Sequence, residues 1–145
     1  MKNLKVAIGS DHGGFEYKTD VIDFLKSKNI EYMDMGTYTQ DSCDYPVIAR
    51  KVCEKILSGD ADRGILICGT GIGMSIAANK IKGIRASVCG DTFSARATRA
   101  HNNSNVLCLG QRVIGKSLAL DIVDMWLKTD FEGGRHQRRI DMIES

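Results

Sequence analysis

No stretch of this 145-residue sequence approaches the roughly 18 consecutive apolar residues that a bilayer crossing needs. The N-terminus, Met1–Leu4, runs directly into a strand-like segment. It carries neither the apolar core nor the cleavage site of a signal peptide, so the expected compartment is the cytoplasm. Charge of one sign is equally scarce. Lys and Arg number 20 against 18 Asp and Glu, a net charge of +2 that by itself argues for neither nucleic acid nor a membrane surface. The five cysteines (43, 53, 68, 89 and 108) are odd in number and form no C-x-x-C pair, which leaves no sign of a disulfide framework or a zinc ribbon. The three histidines, His12, His101 and His136, lie far apart and show no H-E-x-x-H spacing, so no metal is expected.

What is present is the composition of one ordinary globular domain, with 43% hydrophobic and 26% charged residues. Short apolar runs alternate with longer segments of helical period. The runs are Leu4–Gly9, Glu31–Gly36, Gly64–Cys68, Ile84–Cys89 and Asn105–Gly110. In Tyr45–Ser58 the residues Ile48, Val52 and Ile56 fall on one helical face. In Lys116–Lys128 the residues Leu118, Ile122 and Trp126 do the same, flanked by Ala119, Val123 and Leu127. This alternation predicts parallel βαβ units in a three-layer α/β/α domain over residues 1–145, with a sheet of about five strands. The one boundary signal is Glu132-Gly133-Gly134, ahead of a basic tail.

Ligands of open parallel sheets sit beyond the C-terminal ends of strands where the strand order reverses. If the first strand lies beside the third, as in a flavodoxin-like order, the two chemically richest loops share one crevice. The loop after the third run is Cys68-Gly69-Thr70-Gly71-Ile72-Gly73, opening into the helix-like Met74–Ile81. Free amides at a helix start favour an anion, and the same field favours the thiolate of Cys68. A plain glycine turn holding an inert core cysteine is the alternative. Familiar phosphate loops are excluded residue by residue. No lysine follows these glycines as a Walker A loop requires, the spacing is G-x-G-x-G instead of G-x-G-x-x-G, and Met74 stands where a C-x5-R phosphatase loop needs arginine.

The loop after the first run, Gly9-Ser10-Asp11-His12-Gly13-Gly14, offers an acid and an imidazole to sugar hydroxyls or a phosphate. Its structural alternative is a helix cap by Ser10 or Asp11. His101-Asn102-Asn103 ends the helical stretch Thr92–Ala100, where a histidine complements the helix dipole and an asparagine can end the helix. In the tail, Arg135 and Arg139 share a face if the segment is helical, and paired guanidinium groups suit phosphate oxygens. A solvated basic end is the alternative. Arg112 follows the fifth run, at the ligand-facing edge.

Together these segments closely resemble the ribose-5-phosphate isomerase type B family, which includes galactose-6-phosphate isomerase subunits. The matching stretches are GSDHGG, DYP at Asp44–Pro46, ILICGTGIGMSIAANK at Ile65–Lys80, GIRA at Gly83–Ala86, HNNSNVL at His101–Leu107 and EGGRH at Glu132–His136. They run in order over essentially the whole chain. The resemblance implies a Rossmann-like fold and a cofactor-free aldose-ketose isomerase of a sugar phosphate. It implies dimers or tetramers with shared active sites, the tail 133–145 packing on a neighbouring subunit. Cys68 is then the base that moves a proton between C1 and C2, Thr70 assists transfer between the oxygens, and the Gly69–Gly73 amides, Gly71 and Ile72 among them, hold the enediolate. His101 with Asp11 opens the furanose ring, Asn102 and Tyr45 line the sugar site, and His12, Arg112, Arg135 and Arg139 bind the phosphate. One branch of the family replaces the cysteine by a glutamate directly after the last glycine. Met74 occupies that position, which assigns this chain to the cysteine branch. Ribose 5-phosphate is the expected substrate; a six-carbon phosphate such as galactose 6-phosphate or allose 6-phosphate is the nearest alternative, and a non-catalytic phosphometabolite-binding module a more distant one.

Overall fold

The computed structural model describes residues 3–145; Met1 and Lys2, included in the single-domain expectation, lie outside the described residues. The strands are β1 (Lys5–Ser10), β2 (Glu31–Asp34), β3 (Arg63–Cys68), β4 (Ala86–Val88) and β5 (Val106–Gly110). The helices are α1 (Phe15–Ser27), α2 (Tyr45–Leu57), α3 (Ile72–Asn79), α4 (Thr92–Asn102), α5 (Lys116–Lys128) and α6 (Arg135–Glu144). A single 3-10 turn, His12–Gly14, links β1 to α1. Among the described residues no helix is long and apolar enough to cross a membrane.

All strand pairings are parallel, in the order β2-β1-β3-β5-β4. The first strand does lie beside the third. The flavodoxin-like order is nevertheless not kept, because β5 inserts between β3 and β4. Period-2 alternation divides the core. Ile8, Ile65, Ile67, Leu107 and Leu109 face α1, α4 and α5, where Leu25, Ala95, Ile122 and Trp126 meet them. Ala7, Leu66, Cys68, Val106 and Cys108 face α2 and α3, against Ile48, Val52, Met74 and Ala78. The expected stripe on α5 shifts by one residue: Ala119, Ile122, Val123, Trp126 and Leu127 are buried, while Leu118 faces solvent.

Helix placement creates the crevice. The chain leaves β3 toward the α2/α3 face, whereas it leaves both neighbours, β1 and β5, toward the opposite face. The C-terminal end of β3 is therefore open on both sides, the arrangement that makes binding sites in parallel sheets. The α4–β5 turn lies at the opposite end of the sheet, where α6 packs on α4. Arg63 caps the last carbonyls of α5, at Trp126 and Leu127, and lies over the Trp126 ring. Arg99 is buried, and it donates to the carbonyls of Ser104 and Thr129. Burial, reinforced by the nearby Arg63, lowers its pKa to about 10.

Candidate active site

Cys68 is the last residue of β3, and its side chain is nearly buried on the α2/α3 side. Its sulfur accepts a hydrogen bond from the Gly71 amide at 3.1 Å. That contact needs the turn to double back at once, and Gly71 does so with φ at +81°. An L side chain disfavours this conformation. The Ile72 amide donates to Thr70 Oγ1 at 3.2 Å. Among the described residues the N–H groups of Gly69, Thr70 and Gly73 donate to no protein acceptor. The Gly71 amide on the sulfur and the free amides beside it at the start of α3 make a cradle for negative charge. Burial pushes the thiols of Cys53 and Cys89 up to about 11, with the nearby Glu54 and Asp91 adding to it, and drives Cys108 well above its ordinary value. None of those three has the amide partner that Cys68 has.

The β1 and β5 loops wall the crevice. Asp11 caps the 3-10 turn, its Oδ1 accepting from the Gly13 amide at 2.8 Å, as the capping alternative required. The turn lies so close to β3 that a Cβ at Gly14 would stand 2.4 Å from the Ile67 carbonyl oxygen, and one at Gly13 would stand 3.2 Å from Gly69 N. His12 is exposed at its rim, and its Nδ1 accepts from the Cys43 amide at 3.3 Å. With Nδ1 occupied as an acceptor, the neutral ring carries its proton on Nε2. On the other side, the Gln111 and Arg112 amides donate to the carbonyls of Cys68 and Gly69. This lays the Arg112 side chain across Gly69, whose missing Cβ would sit 3.4 Å from Arg112 Cδ. The Tyr45 ring covers Gly73, where a Cβ would come within 2.8 Å of it.

The remaining expected residues lie at the other end of the sheet. His101 and Asn102 end α4 beside Arg85 and Asn105, five residues before Gly110, hence about 17 Å below the Cys68 level. Asn102 is the last helical residue; the left-handed residue that ends the helix is Asn103, with φ at +45°. The tail is helical, and α6 buries His136 and Ile140 while Arg135 and Arg139 stay exposed on its outer side. It docks on α4 of its own chain: Glu132 N–H donates to the Ala100 carbonyl, and Arg85 joins Glu144 at 2.8 Å. His101, Glu132 and His136 bring ligand-type atoms within 4.8 Å of one another. The two imidazoles are stacked, however, with ring planes 16° apart. A metal must lie close to the plane of each imidazole it binds, and stacked rings offer no such common point.

The sequence profile of the family described as Ribose/Galactose Isomerase matches residues 6–143. This chain belongs to that family. It is 49% identical over 139 residues to the ribose-5-phosphate isomerase B of Escherichia coli (strain K12), covering 96% of this chain and 93% of that one. Its structure matches the ribose-5-phosphate isomerase B of Clostridium thermocellum with a TM-score of 0.96 and 55% identity, over 97% of this chain and 95% of the other. It matches that of Mycoplasma genitalium, solved with bound ribulose-5-phosphate, with a TM-score of 0.92 and 45% identity, over 97% and 93% of the two chains.

For this isomerase-family member the fold gathers Asp11, His12, Tyr45, Cys68, Gly69, Thr70, Gly71, Ile72, Gly73 and Arg112 around one crevice. It holds His101, Asn102, Arg135 and Arg139 apart from them. Sequence reasoning missed the Cys43 contact, which uses a backbone group and leaves no side-chain signal. It also missed Lys18, a buried lysine joined to Asp34 and to the Thr37 carbonyl, both at 2.6 Å. That junction fastens the segment leading to Cys43 and Tyr45. Lys18 falls on the buried face of α1 with Val21 and Leu25, a spacing that would have marked it.

Proposed function

We propose that this chain interconverts ribose 5-phosphate and ribulose 5-phosphate through a cis-enediolate, with Cys68 as the base. The carrying observation is the Gly71 amide donating to the Cys68 sulfur at the mouth of a turn of free N–H groups. A proton beside a carbonyl is weakly acidic, so its removal needs a base together with shielding of the oxyanion that forms. The Cys68 thiolate takes the C2 proton of the open-chain aldehyde. The C2–H electron pair becomes the C1=C2 double bond, and the negative charge moves to the C1 oxygen beside the amides of Gly69–Gly73. Thr70 passes a proton between the two oxygens. Cys68 then returns its proton to C1 as the carbonyl forms at C2. His12 and Arg112 hold the phosphate from this chain, anchoring the substrate away from the reacting carbons.

Ring opening by His101 with Asp11, the sugar contact of Asn102 and the phosphate contacts of Arg135 and Arg139 need groups about 17 Å away along the sheet. A second copy of the chain supplies them. The outer face of α3 spans the two ends and exposes Ile72 and Ile76. It is flanked by a groove of about 440 Å³ at Tyr45 and Gly73 and, toward the lower end of the sheet, another of about 680 Å³ reaching Asn102 and Arg85; Cys68 lines neither. A two-fold pairing across this face sets each copy's lower end against the other's crevice. In that arrangement the tail 133–145 belongs to its own domain by packing and to the neighbour's site by function.

The test is an assay of ribose 5-phosphate conversion together with incubation in D2O. Deuterium entering C1 or C2 supports the reading, and phosphate-sugar binding without exchange assigns a non-catalytic module. Comparing kcat/KM for five- and six-carbon phosphates decides the substrate length.

A further inference from the structure

The exposed His101 imidazole makes no hydrogen bond to protein among the described residues. Its ring stacks on His136 with ring centroids 4.5 Å apart and planes 16° from parallel, and one of its nitrogens lies within 4.8 Å of a Glu132 carboxylate oxygen. His136 differs from it in every respect. It is 6% exposed, lies in the first turn of α6, and donates its backbone N–H to the Gly133 carbonyl. The segment ahead of it is fastened to α4 where Glu132 N–H reaches the Ala100 carbonyl, one residue before His101. Its Nε2 has no hydrogen-bond partner; the nearest acid, Glu132 Oε1, stands 3.4 Å away. A buried ring thus underlies an exposed one.

We propose that His136 is a positioning residue for His101, a flat platform that fixes the plane in which the His101 imidazole meets the sugar ring. This rests on the reading that His101 opens the furanose. The platform acts through its face, since an exposed histidine without it samples several side-chain rotamers and a small misplacement of a catalytic group is costly in rate. Burial lowers the pKa of His136, and the adjacent Arg135 and His101 lower it further, against the opposing Glu132; Arg139 also disfavours its charged form. The platform therefore stays neutral and places no second positive charge under the ring that must carry a proton.

Ribulose 5-phosphate separates the two halves of the reaction. Its C5 oxygen is esterified, so it cannot close a furanose, and exchange of its C1 proton needs Cys68 but no ring opening. Turnover of ribose 5-phosphate and deuterium exchange into ribulose 5-phosphate are measured for His136→Ala, His136→Leu and His136→Phe, with His101→Ala as reference. The expected result is a loss of about tenfold in ribose 5-phosphate turnover for the Ala and Leu variants, with exchange within about twofold of the parent. His136→Phe restores turnover, because the flat face returns without the nitrogens. Equal impairment of Phe and Leu overturns the platform, as does equal loss of turnover and exchange in the Leu variant, which fills the buried space should Ala not fold. If His101→Ala loses exchange as severely as turnover, the ring-opening reading itself falls. If His101→Ala is selective and His136→Leu is unimpaired, only the role of His136 falls.

Discussion

The hydrogen bond from Gly71 to Cys68 makes a quantitative demand on one glycine. At φ +81° an alanine incurs about 1–2 kcal/mol of left-handed strain. The new Cβ would also lie 3.0, 3.2 and 3.3 Å from the C, O and N atoms of Leu109, main-chain atoms of a central strand that cannot swing aside. The turn must shift, and its amide leaves the sulfur. Loss of one donor of this kind lowers turnover by about 10²–10³. Gly59 supplies the internal control: its φ is +85°, yet nothing lies within 4 Å of a Cβ there. Gly59→Ala therefore carries the backbone strain alone, about 1 kcal/mol or a fall of about 3 °C in Tm, with kcat unchanged. Gly71→Ala loses more stability than that and about 10²–10³ in kcat, with proton exchange from ribulose 5-phosphate lost in parallel. Thermal denaturation, turnover and exchange on the two variants decide the matter. A Gly71→Ala chain that keeps kcat within about twofold would refute the role given to this amide.

Mixing Cys68→Ala chains with His101→Ala chains, each inactive alone, should regenerate about a quarter of the parent activity after exchange of subunits, because half the dimers are hybrids with one intact site of two; no recovery would place all the groups in one chain. Arg85 donates to the carbonyls of Asn102 and Asn103 and joins Glu144, so Arg85→Ala should raise KM about tenfold, and Arg85→Lys should recover little, since one ammonium cannot make that fork of bonds. An unchanged KM in Arg85→Ala removes it from the site. Folded Cys53 keeps its proton to about pH 11, whereas the unfolded thiol ionises near 9.0. Its contribution to stability is therefore present below pH 9.0 and lost as pH rises toward 11. The urea midpoint should fall more steeply over that range in the parent than in Cys53→Ala, and parallel slopes contradict the burial effect.

Local periodicity reads this fold well where one face is buried. The Lys116–Lys128 helix has the bounds its spacing predicts, and the five apolar runs each become a strand: β2, β4 and β5 are shorter than their runs, β1 is shifted by one residue to end at Ser10, and β3 begins one residue earlier at Arg63. The position of β5 was not legible, because strand order depends on which helix packs on which face, and β4 is only three residues long. The crevice residues were legible as motifs since all but Tyr45, at the start of α2, sit at or after the end of a buried strand. Their separation from His101 and Arg135 was not, because only the sheet shows that α4 returns to the opposite end before β5 begins. Arg85 lay inside a quoted motif, but its partners are main-chain carbonyls and a glutamate 59 residues away.

An active centre bounded by departing loops has a consequence for how such a molecule can change. The opening above β3 comes from the winding of the chain, with β1 and β5 feeding the far side of the sheet. No side chain had to be pared away from the interior to make it. Residues 35–44 and 111–115, which border this opening, belong to no strand or helix. Insertions and deletions there can lengthen or shorten the cup for a different sugar while the sulfur, its amide partner and the strand beneath them stay where they are.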